Sequence, residues 1–155
     1  MNTETQDHRE HDGIHQELTG AVIAAAIEVH RELGPGLFES VYEECFCREL
    51  ALRGIPFRRQ IELPVIYKGL KLDRAYRLDV IVAEKLIVEA KALECILPVH
   101  KAQLPTYLRI TGTPVGLLIN FNSPVLKDGI ARRSFVIQLF SAFSVSPCLR
   151  VLHFL

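Results

Sequence analysis

Asp79, Glu89 and Lys91 are the residues of this chain whose types and spacing could do chemistry. Asp79 lies in the segment 76–82 and Glu89 and Lys91 in the segment 86–92. Both read as strands, with Ala83, Glu84 and Lys85 as the turn between them. Side chains alternate sides along a strand. Leu78, Val80 and Val82 should therefore share an apolar side with Leu86, Val88, Ala90 and Ala92, and the other side should carry Asp79, Glu89 and Lys91 among Arg77, Ile81 and Ile87. A turn centred on Glu84 sets Asp79 directly across from Glu89. Like charges so opposed repel each other unless something positive lies between them. A divalent cation there, with the Lys91 ammonium beside it, would be an arrangement for splitting phosphodiesters. The plain alternative is a buried ion pair, Glu89–Lys91 or Asp79–Lys91, without chemical duty.

These strands need a frame. Leu18, Val22, Ala25, Ala26, Val29 and Leu33 follow helical spacing over about 15–33, and Gly34-Pro35-Gly36 stops that helix. A second helix is expected over about 37–53, ended by Gly54-Ile55-Pro56. Strands are expected over 57–67 and 70–72, turning at Lys68-Gly69. After the Asp79 and Glu89 strands, a helix should start at Pro98, a residue favoured at the first helical position, and reach about Ile110. Pro105 inside it predicts a kink or a later start. The nearly continuous apolar run 115–121 reads as a strand covered on both faces, as parallel strands are. Strand, helix, strand is then a βαβ unit, with the Glu89 strand central in the sheet.

The 155 residues suit one domain, at 49% hydrophobic and 23% charged. No apolar run reaches membrane-spanning length, and the start of the chain has neither a basic stretch nor an apolar core of the signal-peptide kind. A cytoplasmic protein with no membrane contact is the expectation. Formal net charge is zero, yet between Arg48 and Arg77 eight basic residues stand against three acidic ones, Glu49, Glu62 and Asp73. That excess is either a phosphate-facing surface or an ordinary solvated face. Cys45, Cys47, Cys95 and Cys148 form no C-x-x-C pair, so neither zinc nor an iron–sulfur cluster is expected and buried free thiols are. His8, His11 and His15 read as a frayed polar terminus, and a polar leader is expected over 1–14. The domain proper is expected over 15–137, and the Leu-, Phe- and Val-rich stretch 138–155 as an apolar extension, offering a route to a homo-oligomer.

Gly36-Leu37-Phe38-Glu39-Ser40-Val41-Tyr42 reads G-x-x-E-x-x-Y. Together with Tyr76-Arg77-Leu78-Asp79, Val88-Glu89-Ala90-Lys91, Pro98-Val99-His100-Lys101-Ala102-Gln103 and Gly116-Leu117-Leu118-Ile119-Asn120-Phe121, it resembles the GxxExxY protein family. That family is placed in the PD-(D/E)XK nuclease superfamily near its RecB-like and Cas4-like branch. The resemblance spans about 18–135 and implies an α/β fold, a restriction-endonuclease-like αβββαβ core with a mixed central sheet flanked by helices. It implies Asp79, Glu89 and the Ala90 carbonyl as ligands of Mg²⁺ or Mn²⁺, with Glu39, or Glu43 one turn on, as a further ligand. Lys91 would orient or help deprotonate the attacking water, and Gln103 and Tyr107 would position the substrate backbone. Each has a plain reading: Glu39 suits the first turn of a helix, Tyr42 and Phe46 suit a core, and His100 suits a helix start.

Two functions follow. One is a metal-dependent nuclease hydrolysing phosphodiester bonds in nucleic acid, DNA ahead of RNA. The other is a non-catalytic nucleic-acid-binding or assembly module that keeps the fold.

Overall fold

In the computed structural model, residues 3–135 are described, with side-chain positions for 15–72 and 76–135. Helices α1 (Thr3–Leu33) and α2 (Glu39–Leu52) come first, then strands β1 (Phe57–Tyr67), β2 (Leu70–Val82) and β3 (Leu86–Lys91). Helix α3 (Pro98–Thr111), strand β4 (Val115–Asn120), a 3-10 turn (Leu126–Gly129) and strand β5 (Ile130–Ser134) complete the chain described. The αβββαβ order is present within it. The extension 138–155, the oligomer contact expected of it and Cys148 lie outside the described residues, as do the side chains of His8 and His11.

The sheet has the order β1-β2-β3-β4-β5, with β3 central as expected. β3 is antiparallel to β2 and parallel to β4. Every β4 residue is buried, as are the β3 residues up to Ala90. A strand in that position has both faces covered, which explains runs that do not alternate. On one face α1 and α2 pack through Val22, Ala25, Phe46 and Leu50 onto Val80, Val88 and Leu117. On the other, α3 packs through Leu104, Tyr107 and Leu108 onto Ile87 and Leu118.

Several expectations need correction. α1 runs back to Thr3, well before the helix start expected at about residue 15. The strands expected over 70–72 and 76–82 are one strand, β2, because a register shift between Pro64 and Ile66 lets the β1–β2 ladder absorb the polar residues between them. β5 was not expected. It is a short edge strand whose Arg132, Arg133 and Ser134 are exposed, the charged composition that keeps a sheet edge from pairing onward. Among the described residues no helix is long and apolar enough to cross a membrane.

α3 begins at Pro98 as drawn and continues through Pro105 to a left-handed cap at Gly112, φ 70°. Pro105 is exposed, and the carbonyl it leaves without a donor belongs to exposed Lys101. Cys47 is buried and its thiol is pushed up to about 11, mainly by that burial. Cys95 is exposed, contrary to the expectation of buried thiols throughout.

Candidate active site

The β2–β3 ladder pairs Val82 with Leu86, Ile81 with Ile87 and Val80 with Val88. One step further that register sets Asp79 opposite Glu89, and there the ladder gives way. The Ala90 N–H donates instead to the Asp79 side chain, Oδ2, at 2.9 Å. Across β2 the neighbouring strand is irregular at the same level. β1 pairs Arg59 with Val80 and Ile61 with Leu78, and Gln60 between them has φ 53°, a left-handed torsion rare in a strand. Both strands change faces here. Val80 and Val82 lie in the α1–α2 core, with Phe57 packed against it, whereas Leu78, Ile61 and Leu63 belong with α3. The expected sharing of one side by Leu78 and Val80 is therefore wrong. The ribbon turns over at Gln60 and Asp79, and the turnover frees Asp79 from the ladder.

Glu89 is only 3% exposed. Lys91 Nζ donates to its Oε1 at 2.8 Å, so the plainly expected ion pair is made, and lies 3.8 Å from Glu39 Oε1. Among the described residues, Glu89 Oε2 is buried without a hydrogen-bond partner. An unmet carboxylate oxygen is costly in a protein interior unless a proton or a cation satisfies it. Burial drives the Asp79 carboxyl up to about 7, and the Glu89 charge adds to the rise against Lys91 and the Ala90 N–H. Glu89 is raised as well, chiefly by burial, despite Lys91. For Lys91, burial works against the charge, but the Glu89 hydrogen bond and the charges of Glu89, Glu39 and Asp79 outweigh it and raise the ammonium. Among the described residues the site thus gathers three carboxyl groups, Asp79, Glu89 and Glu39, around the Lys91 ammonium.

The G-x-x-E-x-x-Y stretch has a mechanical explanation. Tyr42 hydroxyl donates to the Gly34 carbonyl at 2.5 Å and accepts from Leu37 N–H at 3.1 Å, and its ring stacks on Phe121 at 4.8 Å. Gly36 takes φ 103°, which a side chain would resist. The turn is fixed from within, and α2 starts at Glu39 with that carboxylate toward Lys91. Glu43, one turn on, is buried, accepts from Arg59 and Gln60, and is spoken for. Its charge still raises both Asp79 and Glu89.

On α3, Tyr107 is buried and meets Tyr76 edge to face at 5.9 Å. Burial pushes its hydroxyl up to about 12, with the Glu89 and Asp79 charges adding, so it borders the site. Gln103 shares its helix face one turn earlier and carries another buried acceptor without a partner, Oε1. His100 caps its helix, Nδ1 accepting the Leu97 N–H at 3.1 Å, as the plain reading had it.

Two residues not singled out from the sequence matter here. Gln60 is one. The other is buried Asn120, whose amide accepts from Leu93 N–H at 3.0 Å and donates to the Leu93 carbonyl at 2.8 Å, while Phe121 N–H donates to the Lys91 carbonyl at 2.8 Å. The chain leaving Lys91 is clamped. An amide ending an apolar strand was the available signal, because a buried amide must find partners.

Of the basic residues between Arg48 and Arg77, Arg53 is paired with Glu49, Arg58 with Glu84 and Arg59 with Glu43. A cleft of about 490 Å³ between α1 and α2, lined by Glu28, Val29, Leu33, Glu44, Cys45 and Arg48 among others, includes none of the site residues.

A sequence profile of the PD-(D/E)XK nuclease superfamily matches residues 16–133. The chain belongs to that superfamily. No curated protein and no solved structure matched it. Membership suggests a nuclease and nucleic acid as substrate, and nucleases of this superfamily generally use divalent metals. The residues present fit such an ion. Among the described residues no three His, Cys, Asp or Glu side chains form a ready cage. What is present is two hard carboxylates, one with a bare buried oxygen, beside the Ala90 backbone. That set suits Mg²⁺ or Mn²⁺, which hold a few oxygen ligands and keep several waters.

Proposed function

We propose that this protein is a metal-dependent nuclease that hydrolyses phosphodiester bonds in nucleic acid, DNA ahead of RNA, and that it belongs to the GxxExxY group near the RecB-like and Cas4-like branch. The bare, buried Glu89 Oε2 beside Asp79 carries this reading. Among the described residues it is an acceptor with no donor, in a site that gathers three carboxyl groups around the Lys91 ammonium, where a cation is the missing partner.

Asp79, Glu89 and the Ala90 carbonyl would hold Mg²⁺ or Mn²⁺, with Glu39 reaching it directly or through water. Glu43 is less suited, because Arg59 and Gln60 already occupy its oxygens. A bound ion would offset the charge that builds on the phosphate and ease the deprotonation of water. Lys91, charged and held by Glu89, would orient the attacking water and offset phosphate charge on the other side. Tyr107 and Gln103 would steer the substrate backbone, since the Tyr107 hydroxyl stays protonated and can donate. These groups supply position and charge, which phosphate-ester cleavage needs most.

The second reading, a non-catalytic module, is favoured by the closed Glu89–Lys91 pair and the diversion of Glu43. One experiment separates them. Labelled DNA and RNA, single- and double-stranded, are incubated with the protein and Mn²⁺, Mg²⁺ or chelator, beside Lys91→Ala and Asp79→Ala. Cleavage that needs the ion and both side chains supports the nuclease. Cleavage indifferent to chelator or to both substitutions sinks it, and binding without cleavage under every condition establishes the module.

A further inference from the structure

Beyond Gln60 and Asp79 the β1–β2 ribbon continues as a two-stranded arm. β2 is paired with β3 only from Val80 to Val82, yet with β1 as far as Leu70. Among the described residues the other edge of β2 therefore meets no strand along the arm. From Leu70 to Asp79 the arm runs about 30 Å. It carries apolar and aromatic side chains in the open: at its tip Tyr67 is 63% exposed and Leu70 61%, and nearer the site Tyr76 is 47% exposed. Interleaved with them are exposed Lys68, whose ammonium lies 5.4 Å from the centre of the Tyr67 ring, and exposed Lys71. Between Pro64 and Tyr76 the sequence holds Lys68, Lys71 and Arg74 against Asp73 alone. Three other arginines of this basic stretch are consumed by ion pairs, and among the described residues these two lysines have none.

We infer that this arm is a binding surface for single-stranded nucleic acid, along which the strand to be cut lies on its way to Asp79 and Glu89. The inference rests on the nuclease reading and adds the substrate class. Lysines spaced along a ribbon follow a phosphate backbone, and exposed aromatic rings stack on bases only when those bases are unpaired. The arm also leads to the site without a gap. Tyr76, half exposed, touches Tyr107, which feels the Asp79 and Glu89 charges. A partner that is both anionic and rich in flat rings meets both features of the arm. A purely apolar partner would leave the lysines unused.

The test uses the whole protein and its variant Tyr67→Ala/Lys68→Ala/Lys71→Ala, with Lys68→Glu/Lys71→Glu as a second variant that leaves every apolar contact alone. Binding of a fluorescent strand of about 20 nucleotides is measured by anisotropy with chelator present, so that no cleavage intervenes. The variants should bind at least about tenfold more weakly, and the slope of log affinity against log salt should shrink by about 1.4 for two lost lysines. Hydrolysis of bis(p-nitrophenyl) phosphate, too small to span from the site to the arm tip, should be unchanged. Wild-type affinity in both variants overturns the arm. So does duplex bound more tightly than single strand with equal loss in the variants. A wild-type dimer that becomes monomeric in the variants, read by sedimentation velocity, also overturns it by making the arm a contact between copies. Diester hydrolysis without strand binding removes the arm and leaves the site, whereas strand binding through the arm without diester hydrolysis removes the site.

Discussion

At the turn end of the β2–β3 hairpin, Val80, Val82, Leu86 and Val88 are all buried and the ladder is complete. At the open end, one residue past the Val80–Val88 pair, a carboxylate has taken the place of a strand carbonyl and a second carboxylate is buried with one oxygen bare. The two ends share the same backbone and the same sheet position. They differ in where the hydrogen-bonding groups go. At one end the main chain satisfies itself and apolar side chains fill the space. At the other, Gln60 and Asp79 let the ribbon turn over, and side chains must satisfy what the ladder leaves. The site is made by interrupting a sheet, so the stabilising end and the chemical end should be separable by mutation.

The largest effects test that separation. Asp79→Asn keeps an acceptor for the Ala90 N–H but removes the charge proposed to hold the metal, and should cost at least about 10²–10³-fold in turnover. The folded protein should survive it and melt no lower at about pH 8. Leu86→Ala should do the opposite, costing about 2–5 kcal/mol of stability through lost burial and a cavity while the folded fraction keeps its turnover. Activity normalised to folded protein, together with urea midpoints, reads both. If each variant lost both properties in parallel, the two ends would be one unit.

The next effect is a pH dependence confined to the open end. The folded state raises Asp79 from an ordinary 3.8 to about 7, and Glu89 moves the same way. The folded protein therefore binds protons that the unfolded chain has released. This contribution to stability is fully present below about pH 4 and is lost as the pH climbs through about 7, on the order of 2–4 kcal/mol for Asp79. A divalent cation competes with those protons. Mn²⁺ should raise the melting temperature more at about pH 8 than at about pH 5, and Asp79→Asn should flatten the slope. A metal shift of equal size at both pH values would remove these carboxylates as ligands.

Gly129 tests whether the open end depends on the far side of the sheet. A Cβ there would collide with the Ser123 side chain and come within 2.6 Å of the Asn120 carbonyl oxygen. Asn120 clamps Leu93, just after Lys91. Gly129→Ala should cost about 1–3 kcal/mol, and turnover should fall with it because Lys91 loses its fixed exit. Lost stability with intact turnover would show that the clamp does not position Lys91.

How much of this was legible follows the same division. β1, β3 and the βαβ crossover could be read from sequence, because alternation, apolar runs and Pro or Gly punctuation are direct marks of burial and termination. Asp79 opposite Glu89 followed from the turn alone. The turnover at Gln60 did not, since a left-handed torsion at a glutamine leaves no compositional trace. Glu43 and Glu39 were indistinguishable by spacing, and only Arg59 and Gln60, brought in by β1, separate them. β5 was missed because an edge strand selects for charge, which erases the alternation that identifies strands. What is encoded by side-chain pattern was readable, and what is encoded by backbone torsion or by tertiary partners was not.

The turn itself supplies the smallest test and the cleanest one. Ala83 and Glu84 both have positive φ, 50° and 56°, where hairpins of this kind favour Asn and Gly. Glu84 is held by Arg58 through two bonds of 2.7 Å, but both side chains are more than half exposed, so the pair adds little. Ala83 donates its N–H to the Pro56 carbonyl at 2.8 Å, a bond glycine retains, but its half-buried methyl packs against the α1–α2 core and glycine loses that contact. Ala83→Gly relieves a left-handed torsion worth about 1–2 kcal/mol and returns about 0.5–1 kcal/mol in chain entropy. The lost methyl burial takes back about 0.5–1 kcal/mol more, so the net change should stay within about 0.5 kcal/mol, read as a nearly unmoved urea midpoint at unchanged slope. Turnover should not move, because the Val80–Val88 and Ile81–Ile87 pairs lie between this turn and Asp79. A change in turnover would mean that strain at the turn is transmitted through those pairs, and that the site draws its geometry from the end that carries no chemistry.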